Sequence, residues 1–182
     1  MKICDTVNSK LYKNDRAILH SDCNCFYASV ECLLNPNIRD LPVAVSGDAE
    51  NRHGIILAKN EEAKKYNIKT GEAIWQAKKK CPQLLTVPAR LDVYKKFSDK
   101  VRRIYSNYTD MVEPFGLDEA WLDISEDYKN DALTIAKEIS QRIKDEIGIT
   151  VSIGVSFNKI FAKFGSDYKK PDAITCITRD NY

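Results

Sequence analysis

Histidine is scarce in this chain, and its cysteines are scattered. Only two histidines occur, His20 and His53, and the six cysteines (Cys4, Cys23, Cys25, Cys32, Cys81 and Cys176) include no CxxC pair. Structural zinc is therefore not expected, because such a site gathers thiolate and imidazole ligands at short spacings. No apolar run approaches the roughly 18 residues that cross a bilayer, so no membrane partner is expected. The opening segment MKICDTVNSKLYKNDR has no apolar stretch of the kind that drives secretion. Neither an internal repeat nor a low-complexity tract is present. These absences predict a soluble, cytoplasmic protein whose cysteines stay as free thiols.

What is present suffices for a packed core. Of 182 residues, 43% are hydrophobic and 30% charged, which excludes wholesale disorder. The length suits one domain or two small ones. The net charge of +2 conceals a strong asymmetry. Residues 59–103 carry 13 Lys and Arg against 5 Asp and Glu, whereas residues 104–148 carry 4 against 11. A basic block beside an acidic one suits an enzyme that grips polyanions and holds cations. Solvated helices that segregate charge give the same pattern.

Apolar spacing predicts the elements. AILHSD (17–22) reads as a short buried strand, followed by a helix carrying Phe26, Tyr27, Val30, Leu33 and Leu34 and ended by Asn35-Pro36. Strand-like runs follow at 42–46 and 54–58, with a polar turn at 47–52 between them. Two Lys-rich helices are predicted at 60–66 and 72–80, then an extended segment at 84–89. A longer helix covers 91–109, with Val93, Phe97, Val101, Ile104, Tyr105 and Tyr108 as its stripe. Residues 111–115 and 120–125 read as paired strands joined at GLDE (116–119). A helix at 131–147 stops at Gly148, a strand spans 150–156, a basic helix 158–168, and a last strand 173–177. The hairpin forces antiparallel pairing, so the class is α+β, with helices packed on a mixed or antiparallel sheet. Residues 30–90 have shorter elements and a basic surface, as a small insertion between two halves of a sheet domain would.

Asp22 closes the first strand, and Asp118 and Glu119 lie at the predicted hairpin tip. At a turn, adjacent acids can reach one point, whereas on a strand they face opposite sides. Three carboxylates at one point repel and need a cation, and hard oxygen ligands select Mg²⁺ or Mn²⁺. A pair of such ions, about 3.5–4 Å apart, suits phosphoryl chemistry.

Three segments carry a resemblance: SDCNCFYASVE (21–31), FGLDEAWLDIS (115–125) and SIGVSFNKIFAKFGSDYKKP (152–171). In order and spacing they resemble the Y-family DNA polymerases, the DinB/UmuC (ImpB/MucB/SamB) group, over roughly residues 17–178. The resemblance implies a palm domain at 1–28 and 92–182 and a small α/β fingers domain at 29–91. It implies that Asp22, Asp118 and Glu119 hold two Mg²⁺ ions (or Mn²⁺), helped by the backbone carbonyl of Cys23. A carbonyl ligand tolerates almost any side chain, so Cys can stand where many relatives have Phe. Tyr27 matches the steric gate that lies beneath the sugar of the incoming nucleotide and collides with a ribose 2′-OH. Cys25 and Phe26 would offer backbone N–H groups to the triphosphate at a helix start. Lys159 would contact the triphosphate, and Lys163, Lys169 and Lys170 would lie near DNA phosphate or solvent.

One departure stands out. Relatives often carry Tyr-x-Ala-Arg in the fingers, with the Tyr and Arg on the triphosphate. Here Glu61 and Lys64 occupy those places. Lys64 keeps the charge without the planar fork. Glu61 brings a negative charge, which weakens nucleotide binding unless it swings away or pairs with a lysine.

The implied reaction is template-directed transfer of a deoxynucleotide to a primer 3′-OH, with a tolerant, translesion-type site. The implied partners are primer-template DNA and dNTP. Family members continue into a thumb, a further DNA-gripping domain and often a sliding-clamp peptide, none of which follows Tyr182. The expectation is a palm–fingers fragment with weak or no activity alone. Two other readings stand beside it: a non-catalytic DNA- or complex-binding module of polymerase shape, and a nucleotide cyclase with a palm-like sheet.

Overall fold

The computed structural model describes residues 11, 15–47, 54–126 and 131–182. Cys4, His53 and most of the turn expected at 47–52 lie outside the described residues. In chain order the elements are Ile18–Cys23 (β1), Phe26–Leu34 (α1), a 3-10 turn at Pro36–Ile38, Val43–Ser46 (β2), Ile56–Lys59 (β3), Glu61–Lys64 (α2), Ile74–Lys80 (α3), Leu85–Pro88 (β4), Leu91–Tyr105 (α4), Val112–Phe115 (β5), Glu119–Asp123 (β6), Ala132–Ile147 (α5), Val151–Ser156 (β7), Lys159–Tyr168 (α6) and Ile174–Ile177 (β8). Among the described residues no helix is long and apolar enough to cross a membrane. Cys23, Cys25, Cys32, Cys81 and Cys176 are free thiols. The chain divides into two compact units, Met1–Asn24 with Phe97–Tyr182, and Cys25–Lys96.

The first unit is built on a five-stranded sheet in the order β5-β6-β1-β7-β8. β1 pairs antiparallel with β6 and β7, β5 pairs antiparallel with β6, and β7 runs parallel to β8. The class is thus α+β with a mixed sheet. β1 is central and all six of its residues are buried, which is why it reads as a continuous run instead of an in–out alternation. Val151, Ile153 and Val155 of β7 are buried on one face. Tyr105 of α4 reaches the same face through β1, its hydroxyl donating to Ser21 Oγ at 2.8 Å. Helix α5 packs against β7 and β8. It ends at Gly148, whose φ of 85° lets its N–H return to the carbonyls of Ile143 and Lys144.

The opposite face of the sheet carries α6, which packs on β1, β7 and β8. Asn158 starts this helix by accepting the Phe161 N–H at 2.8 Å. Its close seat depends on Gly154 of β7, where an added Cβ would fall 1.8 Å from the Ala162 carbonyl oxygen.

The second unit has a three-stranded sheet in the order β3-β2-β4, with β3 antiparallel and β4 parallel to β2. Its core comprises Ala44, Ile56, Ala63, Ile68, Ala77, Cys81 and Leu84. Buried Asn60 ties it together: its Oδ1 accepts from the N–H groups of Ala63 and Val43 at 3.0 Å, and its Nδ2 donates to the Leu41 carbonyl at 2.7 Å.

Several boundaries shift by a few residues, and two of the shifts have a clear cause. The hairpin turn is three residues, 116–118, because Glu119 pairs with Phe115 on one side and Asp22 on the other. Helix α4 stops at Tyr105, where Asn107 and Tyr108 fold back on the carbonyls of Ile104 and Tyr105 in tight i→i−3 bonds.

Candidate active site

In the first unit the register of β1 and β6 decides which side chains meet. Asp22 lies opposite Glu119 and His20 opposite Trp121. Alternation therefore puts Asp22, Glu119 and His20 on the α6 face. The Cys23 N–H donates to the Asp118 carbonyl at 3.0 Å, stitching the end of β1 to the turn. Arg102 of α4 braces that turn by donating to the Gly116 carbonyl at 2.5 Å. Gly116 itself has φ 68°, a conformation that suits glycine. The three acids expected to converge thus occupy one end of two adjacent strands. Cys23 Sγ is buried on the other face, which leaves its carbonyl as the group available at this end.

The electrostatics fit this crowding. Burial, with the neighbouring charges of Glu119 and Asp118, pushes the Asp22 carboxyl up to about 6 despite Lys170. Burial and Glu119 likewise raise Asp118. Burial, together with Lys163, drives His20 down to about 4, so its ring is neutral at pH 7. Its Nε2 lies 3.1 Å from Glu119 Oε2 and its Nδ1 2.7 Å from Ser166 Oγ. The Ser166 hydroxyl donates to the Lys163 carbonyl at 2.8 Å, so His20, Ser166 and the α6 backbone form one hydrogen-bonded chain that ends on Glu119.

Two lysines answer the carboxylates. Lys170 pairs with Asp22 and, at 2.7 Å, with Asp167. Lys163 pairs with Glu119. The sequence suggested DNA phosphate or solvent for both lysines, so their place among the acids is new. One signal was legible: β1 alternation puts His20 on the Asp22 face. Nothing in the sequence marked the pairing of Lys163 or Lys170. Lys159 is drawn elsewhere, to Glu113 at 2.6 Å and over the Trp121 ring at 4.4 Å from its centroid.

The donor set suits a hard divalent cation, since it offers carboxylate and carbonyl oxygens and already attracts two ammonium groups. Among the described residues, no three His, Cys, Asp or Glu side chains stand gathered to cage an ion. Asp22 and Glu119 are each turned to a lysine instead.

In the second unit, α1 begins at Cys25 with φ 50° and no side-chain cap. The N–H groups at such a helix start point away from the helix and have no carbonyl in the preceding turn to bind. The Tyr27 ring stacks on Tyr94 with centroids 4.3 Å apart and planes 13° from parallel. Tyr94 is fixed in turn: its hydroxyl donates to buried Glu31 at 2.7 Å, and Arg90 Nε donates to the same carboxylate at 3.0 Å. Glu61 does not stand free. It accepts from Lys64 Nζ at 2.7 Å and from Cys25 Sγ at 3.1 Å. Burial opposes its charge, yet those two hydrogen bonds hold its carboxyl below the usual range. Burial chiefly pushes the Cys25 thiol up to about 11, so it is not a nucleophile at neutral pH.

Comparison with known proteins agrees with the motifs. Residues 21–167 match the model of the impB/mucB/samB family. A DNA polymerase IV of Acetivibrio thermocellus is 60% identical over 169 residues, covering 92% of this chain and 42% of that protein. The solved structure of DinB from Sulfolobus solfataricus superimposes with a TM-score of 0.86 at 31% identity, covering 90% of this chain and 49% of that one. A Y-family DNA polymerase chimera of Dbh and Dpo4 gives the same TM-score, 0.86, at 30% identity and the same coverage. The chain spans less than half the length of each of these proteins.

Proposed function

Because this chain belongs to the impB/mucB/samB family of Y-family DNA polymerases, we propose that it carries the palm and fingers of a translesion-type DNA polymerase. In this reading the palm is residues 1–28 and 92–182 and the fingers 29–91, bounds that lie within a few residues of the two units. The substrates are dNTP and primer-template DNA, and the setting is cytoplasmic. The observation that supports this reading is that Asp22, Asp118 and Glu119 occupy neighbouring positions at one end of β1 and β6.

Asp22, Asp118, Glu119 and the Cys23 carbonyl would hold a pair of divalent ions, Mg²⁺ or Mn²⁺, which supply activation of the primer 3′-OH and neutralisation of the departing pyrophosphate. The protein's own part is positioning. His20 Nε2, 3.1 Å from one Glu119 oxygen, orients that carboxylate. Arg102 fixes the turn that presents Asp118. The backbone N–H groups of Cys25 and Phe26 would bind triphosphate oxygens at the positive end of α1. Lys64 would contribute charge to the triphosphate, as would Lys159, which here pairs with Glu113.

Tyr27 acts as the gate against ribonucleotides. A gate must not swing aside, and stacking on the anchored Tyr94 ring supplies that rigidity. The test, made in the full-length protein, is incorporation with primed template present or absent, in wild type and in Tyr27→Ala. Wild type is expected to consume dNTP only with primed template and a divalent ion. Tyr27→Ala is expected to admit ribonucleotides at least about tenfold more readily, the scale of about 1.4 kcal/mol of lost exclusion. Template-independent consumption of ATP or GTP would instead favour a cyclase.

Glu61 gives a second test. Its pairing consumes Lys64, so Glu61→Gln is expected to release that ammonium to the triphosphate. The gain in dNTP affinity is about two- to fivefold, the scale of one solvent-exposed ion pair. A dNTP titration that shows no change would remove Lys64 from the nucleotide site.

A further inference from the structure

The two lysines among the acids have no part in the functional reading so far, and their arrangement has a chemical consequence. Lys170 bridges Asp22 and Asp167, and Lys163 sits on Glu119. Asp22 is nearly buried and Glu119 partly so, their side chains 10% and 19% exposed, while Lys170 is 30% exposed and Lys163 36%. The ammonium groups thus reach carboxylates that are less exposed than the lysine side chains themselves. With both engaged, three carboxylates face two positive charges, and two of the acids are directed at ammonium groups instead of at one another.

We infer that Lys170 and Lys163 are tethered counter-cations: they hold the acidic end of β1 and β6 together when no metal is bound, and a divalent ion binds only by displacing them. This rests on the metal reading above. Without the lysines, three acids at this end would repel one another across a partly buried space. With them, the repulsion is relieved, and a divalent ion must compete with a resident positive charge for the same oxygens. The lysines are positioning residues here, acting on the carboxylates and not on a reacting atom. Lys170 has the stronger claim, because Asp167 offers it a second carboxylate.

The inference makes an ordered prediction for Mn²⁺ binding without DNA or nucleotide, read from the paramagnetic resonance signal of free Mn²⁺. Lys170→Met keeps the length of the side chain and removes the charge, so Mn²⁺ is expected to bind about three- to tenfold tighter than to wild type. Lys170→Arg keeps the charge and adds a planar fork that grips carboxylate at two points, so binding is expected to weaken. Lys163→Met is expected to follow Lys170→Met with a smaller gain. It also serves as the second variant should Lys170→Met not fold, as judged by circular dichroism. Lys137→Met, an exposed position on α5, removes the same charge elsewhere and is expected to change affinity less than twofold. The metal-free melting temperature of Lys170→Met is expected to fall and to recover on adding Mn²⁺.

Wild-type binding that Lys170→Met leaves unchanged or weakens would overturn the inference while leaving the metal reading intact. Equal gains in Lys170→Met and Lys137→Met would also overturn it, by reducing the effect to net charge. No Mn²⁺ binding to either wild type or Lys170→Met would overturn the metal reading and the inference with it.

Discussion

In the full-length protein, and on the polymerase reading proposed above, Asp118→Ala is expected to abolish divalent-ion-dependent primer extension while leaving the fold intact. Transition-state charge stabilisation by a bound metal is worth several kcal/mol. At 1.36 kcal/mol per decade, a loss of about 4 kcal/mol lowers the rate by about 10³-fold. Asp118 is a clean place to make the cut, because its side chain is not among the ones seated on a lysine. Its stability effect has the opposite sign from its functional one. Burial and Glu119 raise its carboxyl above the ordinary value. A raised acid binds protons more tightly when folded, so stability is lost as pH climbs from the unfolded value through the folded one. At neutral pH the ionised carboxylate therefore costs stability, and alanine is expected to keep or raise the melting temperature. A variant that melts no lower than wild type, binds Mn²⁺ more weakly and does not extend primers fits the reading. Unchanged extension would remove Asp118 from the metal site.

Much of this site was legible because it depends on strand geometry. A short buried strand ending in Asp22 and a hairpin carrying Asp118 and Glu119 suffice to suggest convergence; the β1–β6 register sets Asp22 opposite Glu119, and the Cys23 N–H holds the Asp118 carbonyl beside them. The elements followed for a related reason: apolar stripes such as Ile135, Ile139 and Ile143 repeat at helical spacing, and Gly148 marks the end. The partners of the lysines were not legible. Lys159, Lys163 and Lys170 look alike along the chain. Only the seat of α6 on the sheet sends Lys159 to Glu113 and the other two to Glu119 and Asp22. Glu61 was a similar case. Its charge looked adverse for nucleotide binding, and only the turn of α2 brings Lys64 within 2.7 Å to answer it. Long charged side chains have many reachable partners, so spacing constrains them far less than it constrains a buried Ile.

The seat of α6 is also where a single methyl group should do the most structural damage. Gly154→Ala would place a Cβ 1.8 Å from the Ala162 carbonyl oxygen and 2.6 Å from the Ser166 nitrogen. Both are helix backbone atoms, so no side-chain rotation relieves the overlap, and α6 has to lift or slide. Overpacking a tight core costs about 1–3 kcal/mol where side chains can adjust. Here they cannot, and a loss of at least about 3 kcal/mol is expected, read as a lower urea midpoint at unchanged slope. Gly165 lies across the same contact and supplies the internal comparison. A Cβ there would come no closer than 3.1 Å, to the Gly154 Cα, a crowding that a shift of a few tenths of an ångström relieves. Gly165→Ala is therefore expected to cost about 1 kcal/mol or less beyond its effect on helix propensity, which favours alanine. The two substitutions also separate stability from function. A lifted α6 carries Lys163 and Ser166 away from Glu119 and His20, so surviving Gly154→Ala molecules are expected to lose the ordered Glu119 carboxylate, whereas Gly165→Ala keeps it. Equal urea midpoints for the two variants would mean that α6 does not rest on β7 through Gly154.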